Sequence, residues 1–337
     1  MKVLVTGATG FLGSHIAEQL KARGDDVRVL VRESSNRSLL EPLGVEFAVG
    51  DVTDAKSLPA AMEGIEVVYH AAAMVSDWAP WSEFRAVTIN GTRNMLKGAA
   101  AANVGRFLHV SSDAVYRFQD LANGVNEESK METKFGWLDY YRKSKTAAER
   151  VARRFQREDQ MPVTIVRPAL ILGERDSAML PGLIAFLKTS SAAFMGKADN
   201  QLPCVYAGDV ADLCIRAATS EKAIGETYNA VNPEFVTQRD MFEAIAEIAG
   251  LSLPKRSIPL RVLYGLAYGM EAAARVRGWK KRPELTRFSI NLIGIPYRED
   301  ASKAIRELEW IPKVSMREAI QRSVDYARRK HAERAGV

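Results

Sequence analysis

The chain has 337 residues, 47% of them hydrophobic and 26% charged, with a net charge of +6; this ordinary globular composition excludes extensive disorder and gives room for one large domain or two unequal ones. The basic excess is scattered rather than gathered into a run, which argues against nucleic-acid binding. Cys204, Cys214 and four scattered histidines offer no zinc spacing, so no metal is expected, and the N-terminus reads as neither signal peptide nor membrane span, so a reducing, cytoplasmic setting is expected.

In chain order, "KVLVT" reads as a short buried strand and "GATGFLG" as a loop opening the helix "SHIAEQLKARG". Strands follow at "DVRVLVR", "VEFAVGD", "IEVVYHAAA" and "RFLHVSSDAVY". A long helix is expected over residues 83–102 and another over 140–157, with "PVTIVRPALILG" as a sixth strand. Strict alternation over about the first 170 residues predicts an α/β fold, a doubly wound parallel sheet of the Rossmann type spanning residues 1–173. "GETYNAV" and the helix before it return residues 205–232 to that domain. Residues 174–204 and 233–298 read as helical or loop-like and predict a smaller, discontinuous substrate-binding cap. Residues 299–337 predict closing helices and a tail.

Gly7, Gly10 and Gly13 follow a strand and open a helix at the spacing G-x-x-G-x-x-G. That context predicts a dinucleotide site. Gly7 permits a tight turn, Gly10 lets backbone approach a pyrophosphate, and Gly13 lets helix and strand pack closely, while the helix N-terminus supplies N–H groups to the phosphates. The second strand ends at Val31 and Arg32 rather than at the acidic residue that takes ribose hydroxyls in NAD sites. Arg32 can pair with a 2′-phosphate, which favours NADP(H), while Glu33 keeps NAD(H) open.

Together, "TGATGFLG", "GDVTD" at 50–54, "HAAA" at 70–73, "NGTRN" at 90–94, "VSSDAVY" at 110–116, "YRKSK" at 141–145 and "RPALILG" at 167–173 resemble the extended short-chain dehydrogenase/reductase family, in family order and spacing. The resemblance implies an NAD(P)-dependent oxidoreductase. It implies that Asp51 and Val52 hold the adenine (an N-cap or loop acid being the plainer reading of Asp51), and that Ala71, Ala72 and Ala73 form the loop under the nicotinamide ribose. It adds Thr9, Phe11, Leu12 and Pro168 to the cofactor contacts. Asn90 resembles an asparagine that stabilises the sheet centre through backbone bonds. Tyr141 is implied as general acid/base, with Lys145 and a positive nicotinamide lowering its pKa from about 10 and Lys145 bonding the ribose. Ser112, rather than Ser111, is implied as the donor to the substrate oxygen. Tyr141 and Lys145 lie one helical turn apart and share a face, whereas Tyr140 is out of register.

The substrate is less constrained. Leu170 stands where nucleotide-sugar enzymes often carry an asparagine, and the late cap segment 258–294 resembles the 3β-hydroxysteroid dehydrogenase and dihydroflavonol reductase-like group. A secondary alcohol or ketone of a bulky apolar molecule, sterol, steroid or lipid, is therefore expected. The alternative is a nucleotide-sugar epimerase or dehydratase with tightly held NAD. The stretch 258–282, apolar and then basic at Arg275, Arg277, Lys280, Lys281 and Arg282, reads either as peripheral membrane contact or as a helix packed on the sheet edge with a solvated end. A homodimer is expected from the resemblance, through the long helices at 83–102 and 140–157.

Overall fold

A computed structural model describes residues 1–278 and 281–335, with side chains described up to residue 330. The strands are β1 (Lys2–Thr6), β2 (Asp26–Val31), β3 (Glu46–Val49), β4 (Val67–His70), β5 (Arg106–Val110), β6 (Val163–Pro168), β7 (Leu170–Leu172), β8 (Phe194–Met195), β9 (Cys204–Tyr206), β10 (Thr227–Ala230) and β11 (Ser257–Ile258). Seven form one sheet in the order β10-β6-β5-β4-β1-β2-β3, every pair parallel. A parallel sheet covered on both faces needs continuous apolar strands. β1 supplies one: Val3, Leu4 and Val5 are fully buried, each worth roughly 1.5–3 kcal/mol relative to exposure.

The helices are α1 (Phe11–Ala22), α2 (Leu58–Met62), α3 (Trp81–Glu83), α4 (Gly91–Ala101), α5 (Tyr140–Glu158), α6 (Met179–Leu187), α7 (Ala207–Thr219), α8 (Gln238–Ala249), α9 (Leu260–Val276), α10 (Arg287–Ile293), α11 (Ser302–Leu308) and α12 (Met316–Ala335). α1 and α7 pack on one face of the sheet, and α2, α4 and α5 on the other. α6, α8, α9 and α10 build a separate apolar cluster around Leu180, Phe242, Leu263 and Ile290. α12 lies against α8 and β9, and Trp310, fully buried, donates its indole N–H to Asp209 O at 3.0 Å.

Three sequence expectations change. The helix expected over residues 83–102 is not uniform: α3 and α4 are joined by a wider π-helical turn, Phe84–Asn90, where Thr88 accepts from Met74 N at 3.0 Å and so ties the turn to the loop after β4. The strand expected over 162–173 switches partner. β10 ends at Ala230, so Ala169 N donates the last bond to that strand, and Leu170 N turns to Pro203 O; β7 then pairs with β9, outside the main sheet. The segments read as helix or loop also contain β8 and β11, a two-residue parallel pair too short to leave an alternation signal.

Candidate active site

The loop after β1 is held by its own backbone. Gly7 has φ +71°, and Gly10 N donates to Gly7 O at 2.9 Å. A Cβ on Gly7 would sit 2.9 Å from the Ala71 carbonyl carbon, and a Cβ on Gly13 would sit 2.2 Å from Gly7 O. Helix, loop and the strand-exit at Ala71 are therefore packed at backbone contact, which only glycine permits. Thr9 and Gly10 are exposed at the mouth, Phe11 is half-buried and Leu12 is buried beneath it. Exposed backbone over an α-helix N-terminus fits a pyrophosphate. Ala72 N donates to Thr6 Oγ1 at 3.2 Å, which fixes the half-buried Ala71, Ala72 and Ala73 beside this cradle.

At the end of β2, Val31 is buried and Arg32 and Glu33 are exposed; Arg32 makes no ion pair among the described residues. Asp51 uses Oδ1 to accept from Thr53 N and Thr53 Oγ1, both at 2.8 Å, which leaves Oδ2 without a protein partner among the described residues. Val52 is buried against Gly91, and Asn94 Nδ2 donates to Val52 O at 2.9 Å. Asn90 does not reach sheet backbone as expected: its Oδ1 accepts from Arg93 Nη1 at 2.8 Å, because the wide turn points it along its own helix.

Ser112, Tyr141 and Lys145 come together at the C-terminal edge of the sheet. Ser112 leaves β5 in extended backbone, and its hydroxyl donates to Asp113 Oδ1 at 3.0 Å and accepts from Ala114 N at 3.2 Å, with the Tyr141 phenol beside it. Ser111 points the other way and donates to Glu149 Oε2 at 2.6 Å. Arg142 sets the register between α5 and this loop. Its guanidinium donates to Ala114 O at 3.1 Å and Tyr116 O at 2.7 Å, and to Asp139 Oδ2 at 3.1 Å, so the first turn of α5 cannot slide past Ser112. Tyr140 packs against Trp81 and Phe84, away from the site. Pro168, buried, ends β6 nearby in the sheet.

The expected lowering of the Tyr141 pKa by Lys145 is not seen in the chain itself. Burial pushes the phenol up to about 12, only partly offset by the Ser112 bond, because dehydrating a phenolate outweighs it. Lys145 instead donates to Val110 O at 2.8 Å, and burial lowers its ammonium to about 8, with Glu149 opposing. Burial would raise Glu149, but Arg167 overrides it through bonds at 3.1 and 2.5 Å and holds the carboxylate at about 2, with Arg153 and Ser111 adding to this. This pair fixes α5 to β6 beneath the site.

Several site residues carried no readable signal. Asp113 is in a quoted motif, but only the structure shows it bonded to Ser112. Phe288 meets the Tyr141 ring edge-on at 5.6 Å, and Tyr297 donates to Asp113 O at 3.1 Å; both come from the cap, more than a hundred positions away in the chain. A cavity of 790 Å³ lies farther into the cap, lined in part by Met195, Lys197, Phe235, Leu260, Arg261 and Arg298; Ser112, Tyr141 and Lys145 are not on its wall.

The sequence profile of the NAD dependent epimerase/dehydratase family matches residues 3–230. The chain belongs to this family. It is 31% identical over 335 residues to sterol demethylase protein B of Methylococcus capsulatus, covering 98% of this chain and 99% of that one. It is 26% identical over 330 residues to a 2-alkyl-3-oxoalkanoate reductase of Shewanella oneidensis, covering 94% and 84%. The fold matches UDP-glucuronic acid 4-epimerase from Bacillus cereus in complex with NAD, with TM-score 0.74, 22% identity and coverage of 98% and 100%. As a family member with reductase relatives, the protein is an NAD(P)-dependent oxidoreductase. No helix among the described residues is long and apolar enough to cross a membrane.

Proposed function

We propose that the protein is an NADP(H)-dependent oxidoreductase acting on a secondary alcohol or ketone of a bulky apolar molecule, a sterol, steroid or lipid. The observation that carries this reading is the Tyr141 phenol, which lies beside the Ser112 hydroxyl and is faced by the apolar Phe288 ring. The names of the sterol and oxoalkanoate relatives support an apolar ketone. In this reading the glycine loop and α1 hold the pyrophosphate, Asp51 Oδ2 and Val52 hold the adenine, and Arg32 pairs with the 2′-phosphate. Ala71, Ala72, Ala73 and Pro168 line the nicotinamide side. Bound nicotinamide supplies or takes the hydride. Tyr141 gives its proton to the carbonyl oxygen or takes it back from the alcohol, Ser112 orients that oxygen, and Lys145 braces the ribose side from its bond to Val110 O.

A second reading, nucleotide-sugar epimerisation with NAD held in place, is favoured by Lys197, Arg261 and Arg298 around the cap cavity, which suit a diphosphate. The nucleotide released on denaturing freshly purified protein separates the two. Empty protein that binds NADPH more tightly than NADH supports the reductase; stoichiometric NAD overturns it.

The same proposal includes two partners. α9 buries Leu263, Ala267 and Glu271 inward, while Val262, Leu266 and Met270 are exposed beside Arg261. This outer face suits an anionic lipid surface; Lys280, part of the basic end read from sequence, lies outside the described residues. A homodimer through the surfaces of residues 83–102 and 140–157 is the second.

A further inference from the structure

We propose that Asp113 is a positioning residue: it holds the Ser112 hydroxyl beside Tyr141 and sets the direction in which that hydroxyl donates. This inference rests on the alcohol–ketone chemistry proposed above. A hydroxyl has one proton and two lone pairs. Ala114 N–H occupies one lone pair of Ser112, leaving the proton and the second pair to be divided among Asp113, Tyr141 and the substrate.

When Asp113 is ionised it can only accept, so the Ser112 proton points to it and Ser112 accepts from Tyr141. The Tyr141 oxygen is then free to receive a proton from an alcohol. In oxidation the alcohol O–H proton passes to Tyr141, the Tyr141 proton to Ser112, and the Ser112 proton to Asp113, which ends as a carboxylic acid; the two electrons of the C–H bond leave as hydride to the nicotinamide. When Asp113 is protonated the chain reverses. Asp113 donates to Ser112, Ser112 turns its proton toward the substrate side, and Tyr141 holds its own proton for the carbonyl oxygen.

The surroundings keep both forms of Asp113 accessible. Burial pushes its carboxyl up to about 6; the Ser112 bond, Ala114 N–H, Arg142 and Tyr297 oppose this. From the segment that follows the cap comes Glu299, whose two carboxyl oxygens are buried without a hydrogen-bond partner among the described residues. Burial, then the charge of Asp113, holds Glu299 well above the usual carboxylate range, while Arg167 pulls it down and Glu127 adds to the rise. Tyr116 lies over the Arg167 guanidinium, with the two 4.7 Å apart. Cys204 of β9 also faces Asp113, whose charge raises an already buried thiol. A neutral Glu299 beside Asp113 adds no negative charge, so Asp113 remains the titrating member of the pair.

The test has one arm without turnover. Infrared pH titration of the purified protein is expected to show a carboxylic-acid band that disappears at about pH 6 and is absent in Asp113→Asn. In Ser112→Ala, which removes a bond to the charged form, the midpoint is expected to move upward. The second arm follows reduction of a decalone by NADPH. The wild-type kcat is expected to fall about tenfold per pH unit above the midpoint, Asp113→Asn to lack that limb, and the KM for NADPH to stay unchanged. An Asp113 that stays ionised from about pH 5 to 8 overturns the proposal, as does an Asp113→Asn profile with the wild-type limb. If decalone is not reduced by the wild type, the reductase reading loses its support, and the infrared midpoints still decide this proposal.

Discussion

The parallel sheet and the cap meet at Tyr141 but are held by different chemistry. Beneath the site the sheet is fixed by buried polar groups. Glu149 joins Ser111, Arg153 and Arg167, and His70 bridges Thr6 and Thr92 at 2.8 and 3.0 Å. The cap coheres mainly through apolar packing around Phe242, Leu263 and Ile290, with Gln238 and Asn200 as a buried polar pair, and it is tied to the rest by Tyr297 to Asp113 O, Arg282 and Thr286 to Asp77, and Arg287 to Trp137 O. Hydrogen bonds fix direction and distance; apolar contacts tolerate substitution of shape. The difference teaches that the placement of Ser112, Tyr141 and Lys145 is set by the sheet, while the apolar surface facing them comes from the cap.

The largest expected effect breaks the sheet side. Arg167→Leu removes the fully buried partner of Glu149, leaving only Arg153 and Ser111, and should cost about 3–5 kcal/mol in urea unfolding; a cost below about 1 kcal/mol would remove the contrast with the cap. The pH sign follows from Glu149. Its folded value of about 2 is below the ordinary 4.5, so its contribution is fully present above about pH 4.5 and is lost as pH falls toward 2. Acid unfolding of the wild type should therefore be steeper in that window than that of Arg167→Leu. Tyr141→Phe should lower turnover by about 10²–10⁴ with nucleotide binding retained and the melting temperature unmoved.

Gly13→Ala, with its Cβ 2.2 Å from Gly7 O, should weaken nucleotide binding and lower stability by about 1–3 kcal/mol; isothermal titration and thermal melting read the two. Arg32→Ser should cost about tenfold in NADPH affinity and leave NADH unchanged. The smallest folding effect sharpens the cap side: Leu266→Glu should change stability by less than about 0.5 kcal/mol while reducing sedimentation with anionic vesicles.

Legibility follows the same division. β1, the glycine loop and α1 were readable because their signals are local: consecutive apolar residues, then glycines at fixed spacing, then a helical period. Tyr141 and Lys145 were readable because one helix carries both. The partner switch between Ala169 and Leu170 depends on where β10 ends, sixty residues later. Phe288 and Tyr297 reach the site by folding of the cap, and Glu299 by folding of the segment that follows it, so no spacing links them to Ser112. The rise in the Tyr141 pKa in the chain alone is not legible in the sequence, which shows charged neighbours and hides burial. Asp113 stood in view within "SSDAVY", yet its bond to Ser112 depends on the turn after β5.

The most direct test of the account is transfer of deuterium from NADPH carrying two deuteriums at C4 to a bulky cyclic ketone, read by mass spectrometry of the alcohol formed. The account predicts one deuterium on the carbinol carbon, with product lost in Tyr141→Phe. Alcohol formed without deuterium, or formed equally well by Tyr141→Phe, would contradict it.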